Sequence, residues 1–168
     1  SQRTPIFEAK PGGATCNVLA MLQKLGHQTA FIGKVGEDGF GHKLEKALLE
    51  TGISTTGLCF DKDIHTTLAI VQTKPDGDRD FSFYRKPGAD IMLRPDEIKE
   101  ELIQNSKIFH FGSLSLTDSP VREATIKAIE LAENAGTWIS FDPNLRKPLW
   151  NTEDHAKKQI RYGLKHCH

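Results

Sequence analysis

The chain has 168 residues, and its 22 Lys and Arg residues balance its 22 Asp and Glu residues, so its formal net charge at pH 7 is zero. A chain of this length can bury roughly 70% of its unfolded surface, which is enough for one domain with its own core. A zero net charge creates no general attraction for polyanions, so we expect neither nucleic acid nor a membrane as a partner.

The apolar runs and the cysteines favour a cytoplasmic protein. Runs such as "TAFIG" and "TLAIV" are strand-sized and far shorter than the roughly 20 residues of a membrane span. Cys16, Cys59 and Cys167 are odd in number and widely separated, as is typical of reduced thiols in the cytosol. Adjacent side chains point in different directions, so we expect no metal site at "HCH", residues 166–168. The sequence starts without Met and ends without a cap, and we expect a segment of a longer protein.

A glycine pair precedes the first predicted helix. "KPGGATCN", residues 10–17, bares its backbone at Gly12 and Gly13, where no Cβ keeps a ligand or a neighbouring strand away. Apolar residues follow helical spacing from Ala14, and Gly26 is placed to end the helix. "QTAFIGKV", residues 28–35, is then predicted to be a strand.

A second helix is predicted over residues 39–51. Asp38 is its candidate N-cap and Gly52 its stop. The stretch "GKVGEDGFG" just before it is rich in glycine, yet it matches neither of the glycine motifs that bind phosphate. Lys34 in this stretch is therefore interpreted as a strand residue.

The next two segments predict an antiparallel hairpin. "HTTLAIVQT" and "RDFSFYRK" are β-type runs, and the "KPDGD" between them has turn chemistry. Two strands alone are marginally stable in water. We therefore expect the hairpin to lie on a larger sheet, to cover a cleft, or to pair with another subunit.

Helices and strands alternate again after the hairpin. The pattern predicts a helix over residues 94–104, a strand over 107–114, a helix from Pro120 to Gly136 and a strand that ends at Phe141. Such alternation is typical of a largely parallel sheet covered by helices, which binds its ligands beyond the carboxyl ends of its strands.

The loop after the last predicted strand carries candidate binding residues. Asp142, Asn144 and Arg146 lie in "SFDPNLRKPLW", where Arg146 offers a planar fork for a phosphate or a carboxylate and Asn144 can donate and accept hydrogen bonds. The alternative is an Asp-Pro-Asn turn that satisfies its own backbone, with Arg146 on the surface.

One face of the second hairpin strand is the other candidate. A period of two puts Phe81, Phe83 and Arg85 on the same face, where two aromatic rings beside a guanidinium could cover a sugar-like ligand. The alternative is that the rings pack on Leu68 and Ile70 of the first hairpin strand as a small core.

Five ordered blocks of the chain resemble one protein family. They are "KPGGATCNVLAMLQKLGHQTAFIGKVGEDGFGHKLEKALLETGI", "TTLAIV", "FSFYRKPGAD", "IFHFGSLSL" and "SFDPNLRKPLW". Together they resemble the PfkB family of carbohydrate kinases, and within it most closely the bacterial fructokinases. The resemblance covers nearly the whole chain.

The resemblance implies a ribokinase-like α/β fold, with a largely parallel sheet covered by helices and a small antiparallel β-hairpin lid. Residues 1–168 would form a partial domain of this kind, and residues 64–86 the lid. It implies that sugar hydroxyls are held by the stretch containing Gly12, Gly13 and Asn17.

The resemblance assigns roles in the lid and in the last loop as well. It places Phe83 and Arg85 at positions that touch the substrate in related sugar and sugar-acid kinases. Asn144 and Arg146 match the loop near the transferred phosphate, where the positive charge of Arg146 would stabilise phosphoryl transfer. Asp142 would shape that loop.

The chain also departs from the family pattern. The "GAGD" motif with the family's catalytic Asp, the first strand and the N-x-x-E segment associated with Mg²⁺ are absent from this sequence. The resemblance therefore implies that ATP and Mg²⁺ bind in a C-terminal half outside this chain. We expect these 168 residues alone to be inactive.

The activity implied is ATP-dependent phosphorylation of a sugar, most closely fructose at its 6-hydroxyl. A 2-keto-3-deoxygluconate kinase is one alternative, because Arg85 and Arg146 could both bind a sugar acid's carboxylate. A non-catalytic sugar-binding module is another. A lid with two apolar faces would also be suited to forming a homodimer.

Overall fold

The computed structural model of the chain describes residues 6–74 and 76–168, without the side chain of residue 79. Pro75 of the predicted hairpin turn lies outside the described residues. The α-helices are α1 Ala14–Lys24, α2 Gly39–Thr51, α3 Glu100–Gln104, α4 Val121–Ala135 and α5 Glu153–His166. The strands are β1 Ala30–Gly36, β2 Ser54–Asp61, β3 Leu68–Thr73, β4 Arg79–Tyr84, β5 Ile108–Gly112 and β6 Trp138–Asp142. Four 3-10 turns join them: Ala89–Met92, Pro95–Glu97, Ser113–Leu116 and Lys147–Leu149.

The described strands form three two-stranded sheets. β1 pairs with β2 and β5 with β6, both in parallel, as expected for an α/β protein with helical crossovers. β3 and β4 form the antiparallel hairpin. The fold is therefore the predicted one, with parallel pairs, covering helices and a hairpin between them.

Both ends of α2 and the C-terminal end of α4 have the capping residues that the sequence predicts. Asp38 adopts extended backbone, and its carboxylate accepts hydrogen bonds from the N–H groups of Phe40 and Gly41 at the start of α2. Gly52 and Gly136 end α2 and α4 with φ of 87° and 69°, a left-handed conformation that glycine adopts without a Cβ penalty.

The main core lies on one face of β5 and β6. Phe111 and Ile139 point toward α4, whose Ala124, Ala128 and Ile129 are almost completely buried. Trp150 and Ala156 of the C-terminal segment complete this side. The other face of the pair therefore remains for α1 and for polar residues, which include His110, Ser140 and Asp142.

A buried lysine joins β1 to the segment after the hairpin. The Nζ atom of Lys34 lies 2.7 Å from a carboxylate oxygen of Glu97 and 3.5 Å from one of Asp61. It also donates to the carbonyl oxygen of Met92 at 3.3 Å. A buried ammonium needs such partners, so Lys34 is a structural strand residue, as the sequence predicts.

Two elements differ from the sequence-based predictions. β2 is not predicted, because Gly57 breaks its pattern; a Cβ at Gly57 would lie 2.7 Å from the carbonyl oxygen of Phe31, so the glycine permits close approach of β1. The helix predicted over residues 94–104 is interrupted, since Ile98 and Lys99 are extended. The interruption lets Ile98 enter the core.

Further findings concern β6, α5 and α1. β6 continues through Asp142, which pairs with Gly112, so Asp142 is a strand residue and not the first residue of the loop. α5 is not predicted, although Thr152 caps it through a bond from the His155 N–H at 3.1 Å. Among the described residues no side chain of α1 is buried, so its apolar stripe does not face a core there.

Candidate active site

The carboxyl ends of β5 and β6 lie beside the N-terminus of α1. Gly112 and Asp142 are register partners and end the two strands. A Cβ at Gly112 would lie 3.4 Å from the Cγ2 atom of Thr15 in the first turn of α1. The glycine loop and the loop after β6 are thus brought to the same edge, where parallel sheets bind ligands.

The glycine loop is open on its outer side. A Cβ at Gly12 would meet no atom within 4 Å, and Gly13 has a φ of 122°, a value that L side chains rarely adopt. Asn17 is exposed, and its N–H donates to the carbonyl oxygen of Gly13 at 3.0 Å. This bared backbone and the exposed amide are available to a ligand.

The loop after β6 is held by a buried serine. Ser113 is completely buried, and its hydroxyl donates to the carbonyl oxygen of Asn144 at 2.6 Å. Arg146, two residues further on, is exposed and forms no ion pair within the described part of the chain. The backbone of the loop is therefore fixed at Asn144, and the Arg146 guanidinium carries a charge that no acidic group among the described residues neutralises.

The hairpin turns its aromatic face toward this loop. The rings of Phe81 and Phe83 stack with their centroids 6.0 Å apart, and the guanidinium carbon of Arg146 lies 5.5 Å from the Phe81 centroid. A cation over a ring face is attracted to it. The contact joins the hairpin to the loop after β6.

Hairpin register decides between the two readings of the aromatic face. Ala69 lies opposite Phe83, and Val71 lies opposite Phe81, so Leu68 and Ile70 are on the other face. The alternative in which the rings pack on Leu68 and Ile70 is therefore wrong.

An open cavity lies between the hairpin and the loop. Its volume is about 290 Å³, close to the lower limit of small-molecule sites. The lining residues are Asp80, Phe81, Phe83, Leu145, Arg146, Lys147 and Pro148. Of these, the sequence singles out Phe81 and Phe83 on the hairpin face and Arg146 in the loop. Leu145 and Lys147 carry no motif that would have singled them out.

Arg85 does not line this cavity. Its side chain is 7% exposed and lies at the base of the hairpin, where Nε and Nη2 are both 2.7 Å from a carboxylate oxygen of Asp90. Its Nη1 donates to the Thr117 hydroxyl at 3.2 Å and its Nη2 to the Leu114 carbonyl at 3.1 Å. The structure thus brings Phe83, Asn144 and Arg146 to one region and engages Arg85 elsewhere.

Two titratable groups, His110 and Asp142, lie on the polar face of β5 and β6. Burial lowers the pKa of His110, while the Asp142 carboxylate opposes the shift. Its Nδ1 is 3.0 Å from the Ser140 hydroxyl. His110 is therefore predominantly neutral at pH 7.

Neither a metal centre nor a membrane span is found in the described ranges. Within residues 6–74 and 76–168, no three His, Cys, Asp or Glu side chains are grouped so that they could hold a metal ion. No helix among these residues is sufficiently long and apolar to cross a bilayer. Cys16, Cys59 and Cys167 are unpaired.

Comparisons with known proteins agree with the geometry. Residues 1–168 match the family described as pfkB family carbohydrate kinase. The chain is 48% identical over 156 residues to "Probable fructokinase-4" of Arabidopsis thaliana, a match that covers 93% of this chain and 48% of that protein. The chain thus spans about half the length of the curated relatives it matches.

Two solved structures give the same result. The ATP-bound fructokinase from Xylella fastidiosa superposes with a TM-score of 0.86 at 35% identity, covering 93% of this chain and 48% of that one. The fructokinase from Vibrio cholerae O395 with bound fructose, ADP and calcium gives a TM-score of 0.84 at 31% identity, with coverage of 93% and 50%. The described fold is thus similar to about half of each kinase.

Proposed function

This chain belongs to the pfkB family of carbohydrate kinases, and we propose that it is the sugar-binding part and lid of an enzyme that phosphorylates fructose at its 6-hydroxyl with ATP. The observation that carries the proposal is the cavity between the aromatic face of the hairpin and the loop bearing Arg146. It lies at the carboxyl edge of β5 and β6, to which the open glycine loop also belongs.

The substrate contacts in this proposal use groups that are exposed or half-buried. Gly12, Gly13 and Asn17 receive sugar hydroxyls, because all three are exposed and a Cβ at Gly12 would meet no atom within 4 Å. Phe83 covers an apolar face of the sugar from the lid. Asn144, whose backbone is fixed by Ser113, orients the hydroxyl that receives phosphate.

Arg146 is the catalytic residue of the proposal within this chain. Negative charge spreads over the transferred phosphoryl oxygens in the transition state. A fixed cation near them stabilises that charge without reorganisation. Its contact with the Phe81 ring restricts the guanidinium, and the absence of an ion pair within the described residues leaves its charge available.

Within the described residues no three His, Cys, Asp or Glu side chains are grouped so that they could hold a metal ion. We place the ATP site, the Mg²⁺ that would neutralise its phosphates and the general-base Asp outside this chain. The relatives' additional length, about half of each protein, leaves room for them.

Fructose is favoured over a sugar acid by the environment of Arg85. The guanidinium already contacts the Asp90 carboxylate at 2.7 Å, so its charge is neutralised before a substrate binds. A substrate carboxylate would then find one free cation, Arg146, rather than two. A 2-keto-3-deoxygluconate kinase is the second candidate, and its substrate belongs in the same assay.

We also propose a homodimer formed through the outer face of the lid. Ile70 and Tyr84 lie on the face that points away from the cavity and are 38% and 63% exposed. The hairpin pairs with no further strand in the part of the chain that the structure describes, and apolar groups on such a hairpin are suited to contact a second copy. The three unpaired cysteines support the cytoplasm as the compartment.

The test is ADP release by the full-length protein with ATP and Mg²⁺, measured with fructose, ribose, glucose and 2-keto-3-deoxygluconate. We expect turnover to be fastest with fructose. Arg146→Ala should lower kcat about 100-fold or more with a small change in KM, since the charge acts in the transition state. Arg161→Ala, an exposed cation on α5, is the matched control and should leave both constants unchanged.

The other outcomes separate the alternatives. Fastest turnover with the sugar acid would replace fructose and keep Arg146. Binding of fructose without any turnover would favour a non-catalytic sugar-binding module. An unchanged kcat for Arg146→Ala would remove Arg146 from the catalytic role.

A further inference from the structure

The Asp90 carboxylate contacts both legs of the hairpin, the residues that join its two strands to the rest of the chain. Thr67 immediately precedes β3 and Arg85 immediately follows β4. The Thr67 hydroxyl donates to Oδ1 of Asp90, and the Arg85 guanidinium donates to Oδ2 at 2.7 Å. Each oxygen of Asp90 is therefore used by a different leg.

Asp90 itself is fixed in the body of the protein. It belongs to the 3-10 turn Ala89–Met92, in which Ala89 and Ile91 are buried at 0% and 8% exposure. The Met92 carbonyl in the same turn accepts a hydrogen bond from Lys34 of β1. The two legs are thus attached to the core.

Arg85 extends the connection to the loop after β6. Besides Asp90, it contacts the Leu114 carbonyl and the buried Thr117 hydroxyl. Both belong to the segment that begins with Ser113, whose hydroxyl holds Asn144. The lid and the loop that carries Arg146 are therefore both hydrogen-bonded to the same short segment.

Gly88 permits the contact between Thr67 and Asp90. A Cβ at this position would collide with the Thr67 hydroxyl and would lie 2.9 Å from Oδ1 of Asp90. The backbone at Gly88 has a φ of −107°, which any residue can adopt, so the glycine is needed here for space.

We propose that Asp90 is a positioning residue which fastens both legs of the hairpin and so sets the lid over the sugar cavity. The hairpin pairs with no further strand among the described residues, so its orientation depends on its base and on the contact of Phe81 with Arg146. Without Asp90 the Arg85 guanidinium stays buried without its counter-ion, which strongly destabilises such a site. The effect on substrate binding rests on the proposed function, whereas the effect on the hairpin does not.

A buried ion pair elsewhere in the chain provides a matched control. Lys34 and Glu97 also approach to 2.7 Å, and the lysine side chain is 4% exposed, compared with 7% for Arg85. This pair lies outside the hairpin. Glu97→Gln therefore removes one of the two carboxylates that face a buried cation and no contact of either leg, while Asp61 remains 3.5 Å from Lys34 and keeps it in place beside Met92.

The experiment compares Asp90→Ala, Asp90→Asn, Gly88→Ala and Glu97→Gln in the full-length protein. Hydrogen exchange of peptides from residues 68–84 reports the hairpin, and steady-state kinetics with fructose report the site. Asp90→Ala should raise the rate of hydrogen exchange in the hairpin. It should also raise the KM for fructose by about tenfold or more, with kcat changed less than about threefold. Gly88→Ala should raise both quantities by a smaller factor. Asp90→Asn should also raise them less than Asp90→Ala does.

Hairpin exchange at the wild-type rate in Asp90→Ala would overturn the proposal, as would an equal increase in Glu97→Gln. If Asp90→Ala does not fold, Asp90→Asn and Gly88→Ala decide by the same readout. If the wild-type protein turns over no sugar, the proposed function fails, while the exchange result still tests the role of Asp90.

Discussion

Replacing Asp38 with Ala should destabilise the junction of β1, α2 and the first leg of the hairpin. Its carboxylate accepts hydrogen bonds from the N–H groups of Phe40 and Gly41 and from the N–H and hydroxyl groups of Thr66. Loss of a helix N-cap costs about 1 kcal/mol. A buried donor left unpaired costs roughly 1–3 kcal/mol more. Because Thr66 is only 6% exposed, we expect a total loss of about 3 kcal/mol.

The pKa of Asp38 determines how this loss depends on pH. Burial by itself raises the pKa, but the hydrogen bonds from Thr66, Gly41 and Phe40 outweigh it and lower the pKa from 3.8 to about 2. A folded-state pKa below the unfolded value gives stability that is fully present above about pH 4 and is lost as the pH falls toward the folded pKa. The shift corresponds to about 2 kcal/mol.

The measurement is urea unfolding of the full-length protein, followed by circular dichroism at several pH values. Asp38→Asn keeps a good N-cap, but its amide cannot accept from both Thr66 groups as the carboxylate does. Its deficit relative to the wild type should therefore shrink as the pH falls from about 5 to about 2. Glu50→Ala removes an exposed acid of α2 and, as the control, should change stability by less than about 0.5 kcal/mol. A loss below about 1 kcal/mol for Asp38→Ala, or a deficit of Asp38→Asn that does not shrink, would refute the reasoning.

Three further predictions concern the core, the cavity and the lid. Gly163→Ala should lower the free energy of unfolding by about 1–3 kcal/mol, because its Cβ would lie 2.5 Å from the Phe141 ring; an unchanged urea midpoint would contradict the packing. Phe83→Ala should raise the KM for fructose by about tenfold through lost contact area, with kcat nearly unchanged; a wild-type KM would remove Phe83 from the site. Ile70→Asp should dissociate a dimer in analytical ultracentrifugation and leave the KM unchanged, whereas a persistent dimer would place the interface elsewhere.

Local signals predicted most of the fold's elements. Asp38, Gly52 and Gly136 mark helix ends in the sequence, and each has the expected cap geometry because capping depends on residues within one turn. The turn chemistry between the two β-type runs correctly predicts the hairpin. β2 and the interruption near Ile98 are not predictable in this way, because both depend on contacts with β1 and its buried Lys34.

The candidate site was only partly predictable from the sequence. Arg146 and Phe83 are predictable as a cation and an aromatic ring in segments that resemble the kinase family, and the structure places both at one cavity. The ion pair of Arg85 with Asp90 has no signal in the sequence, because an arginine five residues before an aspartate is as consistent with a free side chain as with a buried guanidinium in an ion pair.

The sequence by itself determined the family, most of the helices and strands in their order, and the face of β4 that carries Phe81 and Phe83, since these follow from motifs and from the period of the backbone. Only the tertiary structure decided the hairpin's cross-strand partners, the seating of its aromatic face against the loop of Arg146 and the pairing of Arg85 with Asp90. These depend on how residues distant in the chain meet, and a one-residue change of register would have reversed the faces.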